Sequence, residues 1–209
     1  MKKTLILCMA ACLFAACEDN LERSIWISDP DDFNLPKYTE WGYNTFGAKM
    51  DGSYFLSCWR ENPCSMEWHA NDSTLEFTMN GCQTLNDYMV FDGYITKKDY
   101  MSLTIIFPCD SVIDNYKKLY LLDGKTIDLT DTTVKVLVTL ESHNYWTEPI
   151  TDIRSGELCF KRIQNLYVDG KFEESIVSGT FDIRYVKDGE KTRMSDGRFD
   201  IGINQSFFW

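Results

Sequence analysis

Two stretches near the C-terminal end decide the reading of the fold: Ser178-Gly179-Thr180-Phe181-Asp182-Ile183-Arg184-Tyr185-Val186-Lys187-Asp188-Gly189, then Asp196-Gly197-Arg198-Phe199-Asp200-Ile201-Gly202-Ile203. Phe181, Ile183 and Tyr185 point one way and Asp182, Arg184 and Val186 the other, the period-two pattern of a half-buried strand. Phe199, Ile201 and Ile203 repeat it. Asp188-Gly189 tolerates the positive φ angles that a tight hairpin turn requires. The two runs therefore read as a β-hairpin. They share Gly-x-Phe-Asp-Ile at Gly179–Ile183 and Gly197–Ile201, a local similarity and not a solenoid repeat.

Working outward, Val134, Val136, Val138 and Leu140 alternate with Lys135, Leu137 and Thr139, and Leu103, Ile105 and Phe107 form a further strand. Asp-Gly recurs at Asp51-Gly52, Asp92-Gly93, Asp123-Gly124, Asp169-Gly170 and Asp196-Gly197, with Asn80-Gly81 as a related turn signal. Helix is scarce: Asp110 or Ser111 is placed to cap a short one through Ile113, Tyr116 and Leu119, and Thr96 to Met101 is a second candidate turn. The expectation is an all-β protein, an antiparallel β-sandwich of about nine or ten strands or alternatively a closed β-barrel, with at most one or two short helices.

Lys2 and Lys3 precede an apolar run from Thr4 to Leu13, and Phe14-Ala15-Ala16-Cys17 places small residues before a cysteine, followed by Glu18-Asp19-Asn20. This is the layout of a bacterial lipoprotein signal: residues 1–16 are cleaved and Cys17 is lipidated. The apolar run is shorter than the roughly 20 residues needed to cross a bilayer. Partnership with a membrane is therefore expected through acyl chains on Cys17. Residues 17–40, rich in acids and carrying Pro30 and Pro36, read as an acidic tether, and residues 41–209 as a single β-rich domain.

Removing residues 1–16 takes away two lysines and no acid, moving the formal charge from −11 to −13. So acidic a surface repels nucleic acid. With 44% hydrophobic and 14% aromatic residues, the chain has the material for a folded core. In an oxidising compartment Cys58, Cys64, Cys82, Cys109 and Cys159 remain after processing, an odd number. Cys58 and Cys64, the closest pair, are the candidate disulfide across the loop from Trp59 to Pro63.

The lipobox, the segment from Asn44 to Gly52, and the closing Ser178-Gly179-Thr180-Phe181 and Asp196-Gly197-Arg198-Phe199-Asp200 resemble those of uncharacterised Bacteroidetes lipoproteins. The resemblance implies a β-rich cell-envelope domain and transfers no catalytic residue. Glu18-Asp19 also resembles the acidic signal that sends such lipoproteins to the outer face of the outer membrane.

Little in the chain speaks for catalysis. His69 and His143 are the two histidines, and neither sits in a nucleophile context such as Gly-x-Ser-x-Gly. Glu67, His69 and Asp72 are conceivable metal ligands on a loop, but no His-x-x-x-His or equivalent pairing accompanies them, so no metal is assigned. No phosphate-cradling glycine loop or dinucleotide fingerprint points to a cofactor. The feature with a mechanism is aromatic. Trp59, Trp68, Tyr145 and Trp146 lie in turn-like segments among polar groups such as Asn71 and Glu148. Flat rings stack on sugar faces while amides and carboxylates bind hydroxyls; equally, such rings plug the ends of a core or pack against a protein. The expectation is a non-enzymatic envelope lipoprotein whose loops bind a ligand, glycan first. A structural subunit that binds another envelope protein is the alternative, and a glycoside hydrolase the third reading.

Overall fold

The alternating runs at the C-terminal end fall in two of the three longest strands among the described residues. The computed structural model describes residues 24–58, 63–84, 90–91, 94–95, 98–109, 113–140, 148–187 and 189–208. Its strands are β1 (Thr45–Met50), β2 (Ser53–Leu56), β3 (Cys64–His69), β4 (Thr74–Thr84), β5 (Val90–Phe91), β6 (Tyr94–Ile95), β7 (Lys98–Pro108), β8 (Thr126–Asp128), β9 (Lys135–Leu140), β10 (Glu148–Pro149), β11 (Asp152–Val168), β12 (Lys171–Lys187) and β13 (Glu190–Ile203). Among the described residues there are also two short 3₁₀ helices, η1 (Tyr116–Leu122) and η2 (Gln205–Phe207). The protein is all-β, as expected. Asn115 caps η1, its side chain accepting from the Lys117 N–H, and Leu119 and Leu122 are its buried residues.

One antiparallel sheet runs in the order β10-β9-β7-β4-β2-β1-β13-β12-β11-β8, with β3 also beside β4, while β5 and β6 pair separately. It consists of two meanders joined by the pairing of β1 with β13. Two-residue turns connect β1 to β2 at Asp51-Gly52 and β11 to β12 at Asp169-Gly170, all four residues having positive φ. The predicted β12–β13 hairpin is present, with Lys187 opposite Glu190.

The sheet curls until its halves face each other across one core. Phe160 of β11 lies 6.1 Å from Phe77 of β4 and 5.9 Å from Phe107 of β7, ring centroid to ring centroid, although several strands separate them in the sheet. Phe199 joins the same group, 5.2 Å from Phe77 and 6.0 Å from Phe160. The arrangement is one continuous curled sheet. After β13 the chain turns through η2 and brings Phe208, 8% exposed, into a bridge with Met66 of β3.

The repeated Gly-x-Phe-Asp-Ile motif acquires a physical reason in the register. Gly179 pairs with Phe199 and Phe181 with Gly197, so each motif's glycine receives the other's ring. A Cβ on Gly179 would lie 2.5 Å from Phe199 Cζ and 2.1 Å from the Cys159 carbonyl oxygen; one on Gly197 would lie 2.7 Å from Phe181 Cγ. Two of the dipeptides expected as turns lie inside strands instead. Asn80-Gly81 is within β4, where the Phe46 ring and the Leu56 carbonyl fill the place of a Gly81 side chain. Asp196-Gly197 marks a bulge in β13, with Asp196 at φ 54°, using the same tolerance of positive φ to bend a strand.

Of the segment expected as a tether over residues 17–40, residues 24–40 are described, and they are docked. From Ser24 onward the chain is laid against the outer face of the sheet. Asp29 and Asp32 accept the N–H groups of Asp31 and Asn34 to form local turns. Leu35 is fully buried in a second apolar cluster with Leu56 and Cys82. Arg198 pairs with Asp29, and Lys49 bridges Asp32 at 3.3 Å and Asp196 at 3.1 Å. Farther on, the buried Asp200 carboxylate accepts from Thr39 Oγ1 at 2.5 Å, Ser178 Oγ at 2.9 Å and the N–H groups of Trp41, Gly42 and Tyr43 at 3.0, 2.8 and 3.3 Å. Ser175 through Gly179 are consequently buried on both faces of β12.

The proposed Cys58–Cys64 bridge is not formed; Cys58 is bonded to Cys82, with Cα atoms 5.8 Å apart. Leu56 pairs with Cys82 in the sheet, and Cys58 follows two residues later on the outer side, against the Leu35 cluster. Cys64 opens β3 with its side chain in the main core, on the opposite face, where burial pushes its thiol well above the ordinary cysteine value. Cys64, Cys109 and Cys159 remain thiols.

These contacts generate three expectations. Asp200→Ala leaves several buried donors without an acceptor and should destabilise by about 3 kcal/mol or more, with residues 24–43 becoming the first site of limited proteolysis; an uncut segment would contradict the docking. Cys82→Ala opens a loop spanning 24 residues and should cost about 3 kcal/mol in urea unfolding. The third concerns pH. Burial, then the charges of Asp200 and Glu173, raises the Glu174 carboxyl above its ordinary value. Its ionised form is therefore disfavoured by folding, a penalty absent in acid that grows as pH rises above the ordinary carboxylate value and is complete above the folded one. At Asp29 burial pushes upward, but the Asp31 and Asp32 amides and Arg198 outweigh it and the net shift is downward. Its stabilisation is present above the ordinary carboxylate range and lost as pH falls through the folded value. Glu174→Gln should stabilise at neutral pH and Asp29→Asn destabilise, both converging on wild type in acid when unfolding is followed across pH.

Candidate ligand-binding site

The docked N-terminal segment builds a cleft where it crosses β11. Asp200 fixes the backbone on either side of Trp41, and Gly42, at φ 74°, turns consecutive N–H groups toward the one carboxylate. A Cβ at Gly42 would lie 3.2 Å from both Glu174 Oε1 and Ile176 Cγ1, so the backbone passes close over β12. The Trp41 backbone is held, yet its residue is 70% exposed. Beside it the Tyr38 hydroxyl donates to Glu40 Oε1 at 3.1 Å, and Arg162 lies 3.7 Å from Glu40 Oε2. Gln164 Nε2 donates to the Glu40 carbonyl at 3.1 Å. Together they line a cleft of about 560 Å³, within the range of small-molecule sites.

Electrostatics keep the donors of this cleft in place. Burial, then the hydrogen bond and charge of Glu40, push the Tyr38 phenol well above the usual tyrosine value, so it stays protonated through physiological pH. The site thus offers an exposed indole, a phenol, a carboxylate, a guanidinium and an amide on one surface. This is the chemistry of stacking combined with hydroxyl recognition.

The residues singled out from sequence are distributed differently. Cys17, Trp59, Tyr145 and Trp146 lie outside the described residues. Trp68 is partly buried and packs against the main core, on the same side of β3 as Cys64 and Met66. Asn71 is exposed in the turn joining β3 and β4. Glu148 belongs to β10 and pairs with Val138. Between Trp68 and Glu148 lie β4, β7 and β9, roughly 19 Å measured along the sheet. Among the described residues, the fold does not gather the predicted set into one site.

On the outer face of β3 and β4, His69 makes different company from that expected. Its Nε2 is 3.1 Å from Glu76 Oε2 and its Nδ1 is 3.7 Å from Glu67 Oε1, while Asp72 is an exposed turn residue. Glu67 stands directly opposite Glu76 in the pairing of β3 with β4. Thr78 Oγ1 donates to Glu76 Oε1 at 3.2 Å. The three ligand atoms lie within 4.8 Å of one another, but the imidazole sits between the carboxylates with one ring nitrogen toward each. That is the geometry of a polar clamp between neighbouring strands; a metal would need one nitrogen and both carboxylates to converge.

Trp41 and its neighbours escaped the sequence reading because they fall at the boundary assigned to tether and domain. An available signal was Tyr38-Thr39-Glu40-Trp41-Gly42-Tyr43, three aromatics in six residues with a glycine among them. Neither a protein-family model, nor a curated protein, nor a solved structure matches the chain.

Proposed function

We propose that this is a lipid-anchored envelope protein, held to the outer membrane through Cys17 and carrying a non-enzymatic glycan-binding cleft centred on Trp41. The lipobox and the acidic residues after it support the anchor and the address, and the turn and strand motifs support kinship with uncharacterised Bacteroidetes lipoproteins. No helix among the described residues is long and apolar enough to cross a membrane.

The observation that carries the glycan assignment is Trp41 itself. An indole that is 70% exposed on a backbone held by a buried carboxylate is a preorganised flat surface, and little ordering entropy remains to be lost when a sugar stacks on it. Tyr38, Glu40, Arg162 and Gln164 supply the hydroxyl contacts. A second reading rests on Ile25, Ile27 and Phe33, which are 51%, 42% and 74% exposed on the same segment. Exposed apolar side chains of this kind are the groups through which another envelope protein would dock.

A glycan array probed with the full chain in detergent, followed by calorimetry on the hits, separates the two. Saturable binding is expected, weakened at least about tenfold by Trp41→Ala, in line with the loss of an aromatic anchor. Binding that Trp41→Ala leaves intact, or none across host and bacterial glycans, would falsify the assignment and turn attention to a protein partner.

A further inference from the structure

The other end of the long strands carries a cluster of cations in a chain whose formal charge is −11. Arg154 of β11 is eight residues before Arg162 of the Trp41 cleft, roughly 26 Å along the strand. Arg154, Arg184 and Arg193 lie side by side on three neighbouring strands: Arg184 pairs with Arg193, and Ser155, next to Arg154, pairs with Arg184. Lys191 lies two residues before Arg193, opposite Val186. All four cationic residues are exposed, and they line one cleft of about 430 Å³ with Tyr185 and Thr192 in its wall.

Folding alone gives no reason for this row. Like charges directly opposite each other in an antiparallel pair are destabilising, and Arg184 faces Arg193 in that manner. The neighbouring acids answer only part of the charge. Arg154 pairs with Asp152 at 2.6 Å and Arg193 with Asp182 at 3.6 Å, while Asp51 Oδ2 accepts the backbone N–H of Arg193. Among the described residues, Arg184 and Lys191 have no ion-pair partner.

We infer that this cleft binds a small ligand through a tetrahedral oxyanion, a phosphate or sulfate group, with Arg184 and Lys191 as its principal contacts and Arg154 and Arg193 at its flanks. Guanidinium forks match such oxygens two at a time. Donors arriving from three strands serve more than the two oxygens that a carboxylate offers. The site is independent of the Trp41 cleft.

Calorimetry on the full chain in detergent tests it with inorganic phosphate, inorganic sulfate and glycerol phosphate, glycerol being the neutral control. Saturable binding of the charged probes and not of glycerol is expected, declining as salt is raised toward about 0.5 M. Arg184→Gln should weaken it about tenfold or more and Lys191→Gln to a smaller degree, in proteins whose thermal melts match wild type, with Trp41→Ala having no effect. Absence of saturable heat from any charged probe overturns the inference, as does binding indifferent to both substitutions. Arg184-dependent sedimentation with phosphatidylglycerol vesicles, without binding of the soluble probes, would also overturn it and assign the cluster to a lipid surface.

Discussion

A single buried carboxylate holds the outer layer of this protein in place. Asp200 is 2% exposed, and the partners described around it are neutral donors. An ion in such a position is costly unless its lone pairs are satisfied. Three successive backbone N–H groups and two hydroxyls do so only if the N-terminal segment lies across β12 and β13 with Gly42 in its left-handed conformation. The converging amides form a concave anion receptor from main chain alone. Asn44 extends the attachment, its Oδ1 accepting the Gly202 N–H at 2.8 Å. The exposed indole of Trp41 is thus a consequence of how the backbone beside it is fastened.

Much of the fold was legible because it is written in local patterns. The period-two runs at Phe181–Tyr185 and Phe199–Ile203, and the run ending at Leu140 from Lys135 onward, fall in strands, and Asp-Gly at Asp51 and Asp169 falls between paired strands. The same dipeptide at Asp196 makes a bulge, since tolerance of positive φ says where a chain can bend and not by how much. The curl of the sheet could not be read in this way. It depends on Phe160 meeting Phe77 and Phe107, contacts between distant strands that leave no periodic trace. Three strands of two residues each, β5, β6 and β10, are too short to show any period.

The site was less legible, and for a physical reason. Acids and prolines that keep a tether hydrated are also the residues that make side-chain-capped turns and ion pairs with a sheet, so composition alone could not distinguish Asp29 and Asp32 in their docked roles from solvated linker. Cysteine spacing failed similarly. Cys58 and Cys64 are close in sequence, but one belongs to the outer cluster and the other to the main core, and sheet register, not separation, brings Cys82 to Cys58. Trp68 shows that an aromatic among polar neighbours can still face inward on an alternating strand.

The pairing of β1 with β13 has a kinetic meaning. It brings the earliest strand of the sheet beside the latest, and Thr39 meets Asp200 across 161 residues of sequence. Contacts of such separation give a high contact order, and the loop-closure entropy must be spent before they return any stability. β1 has β2 along one edge from the start, but its other edge stays open until the final hairpin has been synthesised. A chain with this topology stays short of its native state while it is still emerging from the ribosome, because the contacts that close the sheet wait for the last strand.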